Sequence, residues 1–200
     1  MASAVETRPI TTEEFLRLEA EAPEDVVLEL VRGELREYPM TVRSAEHSMC
    51  MSRFSHELLN WLDNHPDRDG EVASGEVGCR IEQEPDTIVG LDVAYFVGTT
   101  ADTEASENRY FDGAPVVAVE VLSPSDTHER VSERIRRLLA AGTRQVWVAD
   151  PEFRTVTIHR ADAEPQLFAT GATLSGEPEL QGFECRVERL FGRVRAGEAT

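Results

Sequence analysis

"GAPVVAVEVLSPSDTHERVSERIRRLLAAG", residues Gly113 to Gly142, decides the fold. Its first third is apolar on both faces of an extended chain. Val117, Val119 and Val121 share one face; Val116, Ala118 and Leu122 share the other, with Glu120 the sole exception. A strand of this kind belongs in the middle of a sheet, covered from both sides. After Ser123-Pro124-Ser125 the chain becomes charged, and the stretch from about Thr127 to Ala141 reads as a helix stopped at Gly142. "RQVWVAD", Arg144 to Asp150, then reads as a second short buried strand, and Asp150-Pro151 starts a turn.

Upstream, "EVASGEVGCRIE" (Glu71–Glu82) and "TIVGLDVAYFVG" (Thr87–Gly98) read as strands. From Ser44 to about Asn64, Met51, Phe54, Leu58, Trp61 and Leu62 recur at helical spacing. The polar stretch "TTADTEASENRYFDG" (Thr99–Gly113) is expected to be an exposed loop. "ITTEEFLRLEA" opens a short helix, with Thr11 and Glu14 in capping-box spacing. "DVVLELVRGELREYPM" predicts two strands turning at Arg32-Gly33. Beyond residue 150, "RTVTIHR" alternates as a half-exposed strand, and the tail holds another strand and a short helix near "CRVERLFG". The expectation is one α/β domain over residues 1–200, with a mixed sheet flanked by helices. Its core, in the order α-β-β-β-α-β, spans about 44–150. An N-terminal helix and hairpin cover 11–40, and C-terminal strands with a short helix cover 154–192.

Composition narrows the function classes. At 40% hydrophobic residues the chain is globular, and no apolar run reaches the length of a membrane span. The start, "MASAVETRPITTEEF", lacks the basic start and apolar stretch of a secretion signal, so a cytoplasmic location is expected. Cys50, Cys79 and Cys185 form no CxxC pair and are expected to be reduced and buried. A net charge of −18 opposes simple coating of nucleic acid. All twenty basic residues are arginine.

Glu120 therefore needs an explanation, because an unpaired buried carboxylate costs several kcal/mol. Asp92, between Leu91 and Val93, repeats the puzzle. If the two strands are neighbours, both carboxylates meet at one edge of the sheet. With a main-chain carbonyl and waters they make an all-oxygen site suited to Mg²⁺ or Mn²⁺. The alternative is a buried ion pair with one of the arginines. On the helix after Glu120, Arg130 and Arg134 share a face, whereas Arg136 and Arg137 are expected to pair with Glu129 and Glu133.

Several segments together resemble the Uma-two family of endonucleases, a branch of the PD-(D/E)XK nuclease superfamily. They are "LELVRGEL", His47 at the head of the first long helix, "LDVAYF", "DGAPVVAVEVLSPSD", "AAGTRQVWVADPEFRTVTIHR" and "ELQGFECRVERLF". The resemblance runs from about residue 12 to 192 and implies a restriction-endonuclease-like core. It also implies roles: Asp92, Glu120 and the Val121 carbonyl as ligands of Mg²⁺ or Mn²⁺, and DNA as substrate. Glu34 on the hairpin is either brought to the site or part of a solvated hairpin face beside Arg32 and Arg36. His47 either binds substrate or caps its helix.

The sequence also departs from the family. The position two after the glutamate, where the wider superfamily has lysine, is Leu122, and the matching position on the following helix is Arg134. Leu91 replaces the proline before Asp92, and Pro85-Asp86, six residues earlier, reads as a surface decoy. Leu138 stands where the family helix has tyrosine. Three functions stay open: a Mg²⁺-dependent endonuclease, an impaired relative serving as a binding or assembly module, and a non-enzymatic protein with a buried ion pair. A homodimer is expected, since a basic groove across two copies would ease the charge problem.

Overall fold

The computed structural model describes residues 8–39, 44–98 and 110–192. Helix α1, Thr12–Glu21, begins with the expected capping box: Thr11 accepts from the Glu14 amide, and the Glu14 carboxylate accepts from the Thr11 amide. It buries Phe15 against Leu30, Ile88 and Tyr110. Strands β1 (Val26–Val31) and β2 (Glu34–Pro39) form the hairpin, with Arg32 and Gly33 at φ of 50° and 75°. Glycine is required at the second position, because a Cβ there would lie 2.3 Å from that of Pro9. Asp86 anchors the start of α1, its Oδ2 accepting from the amide (3.0 Å) and the hydroxyl (2.6 Å) of Thr12.

Helix α2, Ala45–Asp63, is capped by Ser44 and buries His47, Cys50, Phe54, Leu58 and Trp61 along one face. Strands β3 (Glu71–Glu82), β4 (Thr87–Phe96), the two-residue β5 (Phe111–Asp112) and β6 (Val117–Val121) follow. Helix α3 (His128–Ala140), capped by Thr127, leads to β7 (Gln145–Asp150). Strands β8 (Thr155–Arg160) and β9 (Ala163–Ala169) complete a nine-stranded sheet ordered β2-β1-β4-β6-β7-β8-β9. Off that path, β3 pairs with β4 and β5. Most pairings are antiparallel; β6–β7, joined through α3, and the short β3–β5 contact are parallel. The α-β-β-β-α-β order is present as α2, β3, β4, β6, α3 and β7, with β5 as a short addition.

One face of the sheet packs Val93, Tyr95, Val117, Val119, Val121, Trp147 and Ala149 against α2 and the C-terminal segment. The other packs Ala94, Phe96, Ala118, Val146 and Val148 against Leu138 of α3. Leu138, fully buried, is therefore a core residue.

One expectation is corrected. Residues 99–109 of the predicted loop lie outside the described residues, but its end is no exposed loop. Tyr110 is buried and donates to Glu19 Oε2 (2.6 Å), and Phe111 stacks on Phe96 with ring centroids 4.0 Å apart. The short helix expected near "CRVERLFG" is present as a 3-10 turn, Val187–Arg189, and the tail adds a small sheet of β10 (Thr173–Ser175) and β11 (Glu184–Arg186). Strands of three residues are too short to leave a recognisable alternation in the sequence.

Candidate functional site

Strand β4 creates the site. Along one edge it pairs with β3 throughout; its other partners divide between β1, at Ile88, and β6, from Val93 to Tyr95. Residues 89–92 lie between those two pairings, where the sheet opens into a notch. Opposite the notch, β3 carries a bulge: Ser74 pairs with Val93 but Val77 with Leu91, leaving Gly75 and Glu76 between them at φ of 96° and 58°. The bulge reverses the facing of β4. Val93 and Tyr95 pack toward α2, yet Val89 and Leu91 join Ala94 and Phe96 on the α3 side. Asp92 sits at the switch.

Asp92 is 5% exposed, and its Oδ2 accepts from the Val121 amide at 2.7 Å. Antiparallel pairing of β4 with β6 thus brings Asp92 beside the Glu120–Val121 end of β6. Both carboxylates and Val121 line one cavity of about 90 Å³. His47, from the first turn of α2, is buried at 1% with Nε2 3.4 Å from Asp92 Oδ2. Neither of its ring nitrogens has a hydrogen-bond partner among the described residues.

Arg134 enters from α3. Its Nη1 donates to Gly90 O (2.7 Å) and lies 3.1 and 3.2 Å from the two Glu120 oxygens, while its Nη2 donates to Glu29. Arg137 continues the pattern, with Nη1 4.0 Å from Glu29 and Nη2 2.9 Å from Glu133; Arg36 of β2 also reaches Glu133, at 2.9 Å. At the mouth, Arg130 lies over the Tyr38 ring, 4.6 Å from its centroid. Arg130 and Arg134 therefore share the cavity-facing side of α3, as their spacing predicts.

Three carboxylates, Glu29, Asp92 and Glu120, crowd around one guanidinium. Burial pushes the Glu120 carboxyl up to about 8; Arg134 pulls it down, and Asp92 and Glu29 add to the rise. Arg134 loses solvation on burial, but Glu120 and Glu29 outweigh that and hold its pKa above the ordinary arginine value. Burial therefore favours the protonated form of Glu120 despite the pull of Arg134, while the neighbouring carboxylates hold Arg134 charged.

The hairpin carboxylate at this site is Glu29, not Glu34. Glu29 is 3% exposed and bound to Arg134, whereas Glu34 is exposed at the start of β2 and does not line the cavity. Glu76, on the bulge, also lines it. Among the described residues no group of three or more His, Cys, Asp and Glu side chains is arranged to hold a metal ion. The donor set does fit a hard divalent cation: Asp92 and Glu120 share one cavity, with a buried histidine beside Asp92 whose ring nitrogens lack hydrogen bonds among the described residues.

A central strand that parts from its neighbours, with two carboxylates at the parting and a cation-bearing helix behind it, defines a restriction-endonuclease-like protein. The chain belongs to the Uma2 family, described as "Putative restriction endonuclease", which it matches over residues 12–188. Its fold is similar to that of a "putative nuclease belonging to DUF820" from Anabaena variabilis ATCC 29413, solved at 1.96 Å. The two share 24% identity, the match covering 91% of this chain and 97% of the other, with a TM-score of 0.71. No curated protein matches the chain.

Proposed function

We propose that this protein is a divalent-metal-dependent endonuclease that hydrolyses DNA phosphodiester bonds at the β4–β6 notch. The observation that carries the reading is the meeting of Asp92 and Glu120, from adjacent strands, in one small cavity with Arg134. Asp92, Glu120 and the Val121 carbonyl would hold Mg²⁺ or Mn²⁺. The ion, when bound, supplies Lewis acidity and a water of lowered pKa. His47 lies against Asp92 on the α2 side, its Nε2 3.4 Å from the carboxylate oxygen. Arg134 stands at the family's lysine position and contributes a fork of donors and a fixed charge for a phosphate oxygen. It cannot give up a proton near neutral pH, so it is no general base. Glu34 has no role in this reading.

The −18 charge of the chain opposes a polyanion. Four arginines line the cavity, Arg36, Arg130, Arg134 and Arg137, beside a larger number of carboxylates, so a bound cation would be needed to receive a phosphate there, and a homodimer would place two such mouths on one duplex. Among the described residues no helix is long and apolar enough to cross a membrane.

The test is a calorimetric Mn²⁺ titration of wild type and Glu120→Ala, with plasmid cleavage on the same samples. Binding that requires Glu120, together with cleavage, is the expected result. Binding without cleavage would assign an impaired relative that serves as a binding or assembly module. No binding would leave Glu120 as one end of a buried ion pair.

A further inference from the structure

We infer that Glu29 is the positioning residue of Arg134, and that Arg134 is an exchangeable internal cation. In the metal-free protein its fork spans Glu29 and Glu120; when Glu120 engages a divalent cation, Glu29 is the one carboxylate of the pair that retains it, with the Gly90 carbonyl. The inference rests on the reading of Asp92 and Glu120 as metal ligands.

Glu29 lies in β1 between Leu28 and Leu30, residues of the cluster around Phe15 and Ile88. At 3% exposure its carboxylate must have a partner, and the two nearest cations are Arg134 and, at 4.0 Å, Arg137. Arg137 is already paired with Glu133, so Arg134 is the principal partner.

Arg134 divides its donors. Nη2 serves Glu29, and Nη1 serves both Glu120 and the Gly90 carbonyl. Loss of the Glu120 contact leaves Nη2 on Glu29 and Nη1 on Gly90, so the guanidinium keeps its place. Its freed Nη1 hydrogen then points into the cavity, where a phosphate oxygen can accept it. Lysine would place all its donors on one nitrogen, whereas the arginine fork serves the two carboxylates through separate nitrogens. Arginine in this chain is thus matched to Glu29: the fork needs a second carboxylate, and β1 supplies one.

The same geometry sets a competition. Arg134 and a divalent cation seek the same Glu120 oxygens, and Glu29 draws the guanidinium away from them. Without the Glu29 charge, Glu120 becomes the only carboxylate on the fork, and metal affinity must fall.

The experiment titrates Mn²⁺ by calorimetry into full-length wild type, Glu29→Gln, Arg134→Met and the double variant. Thermal unfolding in EDTA on the same samples checks that each is folded. Arg134→Met is expected to bind Mn²⁺ at least about fivefold more tightly, and Glu29→Gln roughly tenfold more weakly. In the Arg134→Met background, Glu29→Gln should change affinity by less than about threefold. An equal loss in both backgrounds would make Glu29 a ligand or a simple background charge and would overturn the inference. Unchanged affinity in Arg134→Met would overturn it as well. If Glu29→Gln fails to fold, Glu29→Asp, which keeps the charge but retracts it, should show an intermediate loss that vanishes with Arg134→Met. Absence of Mn²⁺ binding in wild type would instead sink the metal reading itself, a distinct outcome.

Discussion

Replacing Glu120 with glutamine in metal-free buffer should remove a pH dependence of stability. In the folded protein, burial beside Asp92 and Glu29 lifts the Glu120 carboxyl to about 8, against 4.5 when unfolded. Between those values the native state holds a proton that the unfolded state has released. Stability from this group is therefore complete below about 4.5 and is lost as pH rises to about 8. Each pH unit is worth about 1.4 kcal/mol, so the loss between pH 5 and 8 approaches about 4 kcal/mol as an upper bound. The side chain is 14% exposed, so solvent screening removes little of it. Glutamine keeps the shape and cannot titrate. Urea unfolding of both proteins in EDTA at pH 5 and pH 8 measures the difference: Glu120→Gln should gain on wild type by about 2–4 kcal/mol across that range. Parallel pH profiles, within about 0.5 kcal/mol, would refute the account of three carboxylates sharing one guanidinium.

Leu138→Ala should destabilise the protein by about 3 kcal/mol in urea unfolding, since Leu138 is fully buried between α3 and the sheet. A loss below about 1 kcal/mol would mean that α3 closes over the gap. Burial pushes the thiols of Cys50, Cys79 and Cys185 up to about 12, so none should react with a thiol reagent at pH 8 until the protein is unfolded, when all three should. Rapid labelling of the native protein would contradict their burial.

The elements that carry the site are legible in the sequence because their signals are local. The apolar run of β6, the helical spacing of α2 and the Thr127 and Gly142 stops around α3 all sit within a few residues of what they specify. Asp92 and Glu120 stand out as acids inside apolar strands, and β4 and β6 are indeed neighbours. Glu29, between Leu28 and Leu30, carries the same mark, but the family pattern points to Glu34. What decides between them is the pairing of Leu30 with Ile88, far along the chain, which local spacing does not encode. The bulge at Gly75-Glu76 is hidden for a related reason: it is a mismatch between two strands, visible only once their register is known. Asp86 illustrates the converse. Its Pro-Asp dipeptide mimics a motif, yet its carboxylate is occupied by the start of α1.

The attachment of the β1–β2 hairpin carries a kinetic consequence. Its ladder to β4 is a single residue pair, Leu30 with Ile88. Two further hydrogen bonds help, from the Gly33 amide to the Asp86 carbonyl (2.8 Å) and from the Arg32 amide to Thr87 Oγ1 (3.0 Å). Strands β4, β6 and β7, by contrast, are zipped along several successive residues. Amide hydrogens of the hairpin should therefore exchange with solvent sooner than those of the central strands, as one cooperative unit. Each such opening withdraws Glu29 from Arg134 while Asp92 and Glu120 stay in place. The rate at which the hairpin breathes would then be the rate at which the internal cation is loosened.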